Sequence, residues 1–162
     1  MSMTNTERGK EVELRFKEWL DRHEIPYWYI QQDIETFSPA LKKYFAKRPD
    51  FMILLPNLGF IFVDAEYKKP THYKTFPIDT EESRKYSVLQ RHFNLQVWYA
   101  LSNEQYHYST WFWIPVSKVL EIGKTEKHVS SKTKMEFFAI PIDNFIQVAM
   151  DDSLSRLLSK II

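Results

Sequence analysis

The stretch RPDFMILLPNLGFIFVDAEYKK, residues 48–69, constrains the fold more than any other part of the chain. Two apolar runs, FMILL (51–55) and FIFVDAEYK (60–68), flank a Pro-Asn-Leu-Gly turn, which predicts an antiparallel hairpin. The first run is apolar on both faces, as in a strand covered from both sides, so the hairpin belongs in the middle of a sheet. Burial gives no reason for Asp50, Asp64, Glu66 and Lys68, which crowd the ends of the two runs. Alternation along a strand aims Asp64, Glu66 and Lys68 at one face, roughly 6.6 Å between neighbours. A pairing of Leu55 with Ile61 sets Asp50 opposite Glu66 on that face. Leu55 opposite Phe60 sends the two carboxylates to opposite faces unless a bulge intervenes.

The flanking sequence predicts a mixed α/β domain. A helix runs from about Thr4 to His23, with Thr4 and Glu7 as a capping box and Ile25-Pro26 as the stop. At 100° per residue Val12, Phe16, Trp19 and Leu20 share one arc, Glu13 borders it and Glu11 lies on the far side. Gly9, one turn before Glu13, either permits a close helix-to-sheet approach or is an ordinary helix glycine. YWYIQQ (27–32) reads as a strand and LKKYFAKR (41–48) as a short helix, and a polar loop follows Pro70. TEESRKYSVLQRHF (80–93) reads as a helix, and QVWYALS (96–102), STWFWIPV (109–116) and EFFAIPI (136–142) as strands. The tail carries Leu154, Leu157, Leu158 and Ile161 at helical spacing. This order predicts a central mixed sheet containing a meander, flanked by helices, rather than a regular βαβ repeat.

Three glycines and no repeat or linker predict one domain over 1–162, with a core of about 6–102 and a C-terminal elaboration over 103–162. At 162 residues and 44% hydrophobic content the chain can bury a sizeable core. A net charge of +1 does not advertise a polyanion partner, so any such interaction needs a local patch. The absence of cysteine removes disulfides, thiolate nucleophiles and Cys-ligated zinc, and fits a reducing compartment. The polar start MSMTNTERGK has no apolar leader, and no stretch reaches membrane-spanning length. The expectation is a cytoplasmic protein without a membrane partner.

Clustered carboxylates repel one another, and a divalent cation resolves that conflict while attracting phosphate oxygens. Mg2+ or Mn2+ suits such a set, being bound by one or two carboxylates plus waters and substrate phosphates. The histidines at 23, 72, 92, 107 and 128 form no close metal-ligand pair in sequence. A lysine two positions after Glu66 is placed to orient a water or to stabilise charge on a phosphate.

Gly9-x-x-x-Glu13 on a helix, Pro49-Asp50 opening a strand and Glu66-Tyr67-Lys68 closing the next together resemble the PD-(D/E)XK nuclease superfamily. The resemblance covers residues 9–102 as an order of elements, and within the superfamily it points to small Holliday-junction-resolvase-like, phage or mobile-element nucleases. It implies a restriction-endonuclease-like core and an Mg2+-dependent endonuclease hydrolysing DNA, with cleavage of RNA sharing the same chemistry. It also implies that Asp50 and Glu66 ligate the metal, that Tyr67 lends its backbone carbonyl, that Glu13 contributes directly or through water, and that Lys68 assists the attacking water. Members often place a further polar residue on the helix before the fourth core strand, and Lys85 and Gln90 are the candidates here. Lys42, Lys43, Lys47, Arg48 and Lys69 are the candidate phosphate contacts.

The opposing readings are plain ones. The charges at the strand ends form surface ion pairs in a catalytically inactive module that binds nucleic acid or a protein partner. Asp64 is an extra carboxylate on the metal face or a buried, hydrogen-bonded one. Trp111, Phe112 and Trp113 belong to the core or to a dimer surface, and His72 is the histidine nearest in sequence to the site. A homodimer or a partner protein supplying basic surface is a further expectation.

Overall fold

The computed structural model describes residues 2–30, 38–44, 48–123, 127–131 and 133–160, without the side chains of residues 42, 44, 127, 159 and 160. The Lys42 side chain and all of Lys47 therefore lie outside the described residues, as do Gln31 and Gln32 of the expected first strand.

Helix α1 spans Asn5–Arg22 and begins as expected. Thr4 N–H donates to Glu7 Oε2 at 2.7 Å and Glu7 N–H to Thr4 Oγ1 at 3.2 Å, so two of the otherwise orphaned donors are satisfied reciprocally. Its buried residues are Val12, Phe16, Trp19 and Leu20, the arc that the sequence spacing defines. A Cβ at Gly9 would meet nothing within 4 Å, so Gly9 serves no close helix-to-sheet approach.

Strands β1 (Tyr27–Tyr29), β2 (Phe51–Leu55) and β3 (Gly59–Tyr67) form the meander, with helix α2 (Pro39–Tyr44) between β1 and β2. Strand β4 (Thr75–Asp79) and helix α3 (Thr80–Phe93) then carry the chain over to β5 (Val97–Ser102), which pairs parallel with β3. Strand β6 (Trp111–Pro115), helix α4 (Val116–Gly123), β7 (Lys127–Val129), β8 (Glu136–Pro141) and β9 (Ile146–Val148) complete the main elements. The large sheet runs β1-β2-β3-β5-β6-β9, and β4-β8-β7 form a separate small sheet.

Alternation splits the large sheet into two apolar faces. Phe51, Ile53, Leu55, Ile61, Val63, Trp98, Trp111 and Trp113 pack with α1 on one side. Phe62, Val97, Tyr99, Leu101, Phe112 and Ile114 pack with Tyr86 and Leu89 of α3 and with α4 on the other. The run Trp111, Phe112, Trp113 is thus core on both faces, at 0–3% exposure.

Several expectations are corrected. The loop expected after Pro70 contains β4, whose Phe76 and Ile78 are buried against β8. Pro77 is tolerated because β4 is an edge strand. Helix α4 and strands β7 and β9 stand where the sequence pattern was too short to read. The tail forms a 3-10 helix over Leu154–Lys160 rather than an α-helix, burying Leu154 and Leu157. Helix α2 starts at Pro39, earlier than the expected 41–48.

The hairpin pairs Leu55 with Gly59 and Phe51 with Val63, two residues off the Leu55–Ile61 pairing considered above. That shift preserves the faces. It places Asp50 across from Asp64 instead of Glu66, while all three stay on one side of the sheet.

Candidate active site

Strand β2 begins opposite Val63, so β3 runs on from Asp64 to Tyr67 with its outer edge uncovered. The gap is a cleft of about 560 Å3, walled by Arg8, Gly9, Val12 and Glu13 of α1, by Arg48 and Asp50, and by Asp64 to Lys68. Where β2 stops, the Asp50 side chain takes over its hydrogen bonding: Ala65 N–H donates to Asp50 Oδ2 at 3.1 Å. On the other edge Lys68 N–H donates to Ser102 O at 3.2 Å. Peptide groups alternate edges along a strand, so the Tyr67 N–H and C=O face the cleft.

Glu66, Asp64 and Glu82 converge here. One carboxylate oxygen from each lies within 4.8 Å of the others, the one such trio among the described residues. Glu82 enters from α3, where Asp79 caps the helix by accepting Glu82 N–H at 2.9 Å. One turn further on, the buried Tyr86 hydroxyl donates to Asp64 Oδ2 at 2.9 Å. Burial, followed by the charge of Asp64, pushes the Tyr86 phenol well up, so it remains a donor. Asp64 is therefore both buried and hydrogen-bonded, at 2% exposure, and a member of the carboxylate trio.

Asp50 and Glu13 stand beside this trio. Burial, opposed by a side-chain hydrogen bond with Asp64 and reinforced by the Glu13 charge, pushes Asp50 up to about 7. Glu13 is fixed by Tyr29 OH, which donates to its Oε2 at 2.6 Å, and that bond raises the Tyr29 phenol. The Lys68 ammonium lies 3.6 Å from Glu66 Oε2, both largely buried. Asn103, fully buried at the end of β5, donates through Nδ2 to Lys68 O at 2.8 Å and so fixes where that ammonium stem begins.

Glu13, Asp50, Asp64 and Glu66 line the cleft with Glu82 beside them, and these five carboxylates outnumber the Lys68 ammonium and the Arg8 and Arg48 side chains of the walls, which makes a hard oxygen donor set short of positive charge. Neighbouring ligand oxygens around an octahedral Mg2+ lie about 2.9 Å apart, so the trio, whose oxygens lie within 4.8 Å of one another, would draw in by up to about 2 Å to hold Mg2+ or Mn2+ through its hard oxygen donors. The donor set fits no soft metal, since the chain has no cysteine.

The remaining expected residues lie apart from the trio. Lys85 pairs with Glu81 at 3.2 Å along α3, and Gln90 Oε1 accepts from Val97 N–H at 2.9 Å, which ties the end of α3 to β5. Lys43 is exposed on α2, Lys69 is exposed just past β3, and His72 is exposed with its ring 3.8 Å from that of Tyr73. Glu82 and Asn103 were not singled out by sequence reasoning. An acidic residue in a helix first turn already has a sufficient explanation in the helix dipole, which hides Glu82.

The charge arrangement predicts a pH dependence. Asp50 titrates near 7 in the folded protein and near 3.8 when unfolded, so the native state holds more protons across that window. Stability of the metal-free protein should therefore fall as pH rises from about 4 to about 7. Denaturant titrations across that range are expected to give a flatter profile for Asp50→Asn. A parent profile that rises with pH would contradict the arrangement.

No family model matches the sequence, and no curated protein matches it. Solved structures do. A Holliday junction resolvase, Hjc, from the archaeal hyperthermophile Archaeoglobus fulgidus is similar over 87% of this chain and 88% of its own, at 13% identity and a TM-score of 0.50. D212, a nuclease from a fusselovirus, is similar over 97% and 90% at 13% identity and a TM-score of 0.47. The likeness to the resolvase, together with the meander, crossover helix and parallel fourth core strand, gives the chain a restriction-endonuclease-like nuclease fold. Among the described residues no helix is long and apolar enough to cross a membrane.

Proposed function

We propose that the chain is a divalent-metal-dependent endonuclease that hydrolyses phosphodiester bonds in DNA. The observation that carries this reading is the convergence of Asp64, Glu66 and Glu82 beside the Lys68 ammonium, in the open edge of a nuclease-type fold. The similar archaeal protein is a Holliday junction resolvase, which supports DNA as the substrate class.

A divalent cation held by Glu66 with Asp64, Glu82 or Asp50 and the Tyr67 carbonyl would supply Lewis-acid polarisation of the phosphate and a water of lowered pKa. The chain's own groups do the remaining work. Lys68 faces the position where negative charge builds on the phosphate oxygens and stabilises it there. Tyr86 holds Asp64 and Tyr29 holds Glu13, so the carboxylates keep their orientation without a substrate. Arg8 and Arg48 on the cleft wall offset the carboxylate field for an approaching polyanion.

Cation binding tests the reading. A native state that binds Mn2+ or Mg2+ gains about 2.7 kcal/mol at a concentration of a hundred times Kd. Thermal and denaturant unfolding should show that gain in the parent and lose most of it in Glu66→Ala. Equal responses in the two proteins would contradict the assignment.

A further inference from the structure

We propose that Arg8, Tyr67 and Lys69 form a phosphate-binding subsite beside the carboxylate trio, and that the Glu104 carboxylate occupies it in the free protein in place of a nucleic-acid phosphate. The identity of the ligand rests on the nuclease reading above, whereas the subsite itself rests on separate residues.

Glu66 and Lys68 project from one face of β3, so the Tyr67 ring between them projects from the other, toward the start of α1. The Arg8 guanidinium lies 5.2 Å from the centroid of that ring, and Lys69 Nζ 6.0 Å from it. Both donors nearest the ring's hydroxyl end converge on one atom. Glu104 Oε1 accepts from Tyr67 OH at 2.9 Å and lies 2.5 Å from Lys69 Nζ. These contacts, Lys69 first and Tyr67 second, hold the Glu104 carboxyl down to about 2. The cluster thus selects an anion, and one anion is in place.

That anion is easily replaced. Glu104 and Lys69 are each about half exposed, at 53% and 46% of their side chains, and exposed ion pairs contribute little to stability. A phosphate offers more than one anionic oxygen and so engages the ammonium, the phenol and the guanidinium together, which one carboxylate oxygen does not. The location is also built. Glu104 opens a 3-10 turn capped by Asn103, whose Oδ1 accepts Gln105 N–H at 2.8 Å while its Nδ2 donates to Lys68 O at 2.8 Å. The same buried side chain therefore sets the position of Glu104 and of Lys68. Tyr67 and Lys68 are consecutive and their side chains leave opposite faces of β3, so the subsite lies across the strand from the trio and takes a different phosphate from the one at the trio.

The subsite answers a question the charge raises. A chain of net charge +1 whose cleft is lined by four carboxylates, with Glu82 beside them, repels a polyanion unless cations stand at its mouth. Glu104 cancels part of that cationic rim until a phosphate displaces it.

The test is fluorescence anisotropy with labelled duplex and four-way-junction DNA, in EDTA and in a Glu66→Ala background, over a series of salt concentrations. Glu104→Gln keeps the shape of the side chain and removes the charge. It is expected to tighten binding about five-fold at low salt and to steepen the salt slope by about one. Lys69→Ala added to Glu104→Gln should return the affinity to the starting value or below. Glu11→Gln removes a charge of the same sign from α1, where Glu11 pairs with Arg15 at 3.9 Å, and should change affinity much less. The proposal is overturned by an affinity that Glu104→Gln leaves in place or weakens, including no binding by either protein, or by an equal gain in Glu11→Gln. Because the readout needs no cation and no cleavage, the two readings fail separately. Tightening in a protein that never cuts sinks the nuclease and leaves the subsite, and metal-dependent cutting with an unmoved affinity does the reverse.

Discussion

Lys68→Ala is expected to lower metal-dependent cleavage by about 10²–10³-fold, the usual cost of removing one preorganised charge-stabilising donor. Its ammonium sits 3.6 Å from Glu66, on a side chain that is 27% exposed and so held at the cleft rather than free in solvent. The same change removes the positive charge adjacent to the carboxylate trio, so Mn2+ binding should be retained or tightened. The expected signature is a split: single-turnover rate lost, cation-induced stabilisation kept. Lys68→Arg should not restore the rate, because a planar fork does not present its charge where a compact ammonium does. Loss of cation binding together with the rate would instead make Lys68 a structural partner of Glu66.

The second large effect is on the scaffold. Phe16→Ala should destabilise the protein by about 3–5 kcal/mol, read from urea denaturation. Phe16 is fully buried at the point where α1 meets the sheet, with ring centroids 5.0 Å from Phe51, 4.8 Å from Trp111 and 5.6 Å from Trp113. Four aromatic rings meeting at fixed angles cannot collapse into the space left by one of them, so the cavity term adds to the transfer term. Glu13 lies one turn before Phe16 on the same helix, so this packing also fixes one wall of the cleft. A cost under about 1 kcal/mol would mean that α1 is held by its other contacts.

What the sequence disclosed follows from how local each determinant is. The capping box of Thr4 and Glu7 and the arc of Val12, Phe16, Trp19 and Leu20 are decided within one helix, and both were legible. The shared face of Asp50, Asp64 and Glu66 follows from strand alternation alone. The register does not. A shift of two residues keeps every side chain on its face, and the choice is made in the turn, where Asn57 and Gly59 adopt φ of 67° and 101°. Leu58 N–H then donates to Leu55 O at 3.1 Å, and Leu55 faces Gly59. Asp64 thereby gains Asp50 as its neighbour, a contact no spacing rule supplied.

Tertiary pairing hid the rest. Strand β4 carries the alternation Phe76, Ile78, but it is short and holds Pro77, and it becomes a strand through pairing with β8, some sixty residues away. Glu82 and Tyr86 share a helix face at a spacing of four, and only the packing of α3 against the sheet turns that face toward Asp64. Asn103 reads as a turn residue at a strand end, and its second bond, to the Lys68 carbonyl, depends on β3 and β5 lying side by side.

The central claim is that this cleft hydrolyses DNA phosphodiesters with a divalent cation. Its most direct test is cleavage of an end-labelled panel of duplex, single strand, flap, four-way junction and RNA in Mg2+ or Mn2+, with Glu66→Ala beside the parent. The account predicts cutting of DNA by the parent that EDTA abolishes and that falls more than about 100-fold in Glu66→Ala, beyond the loss seen when an outer-shell partner of a metal ligand is removed. Equal trace cutting by both proteins, across every substrate and with either cation, would contradict it.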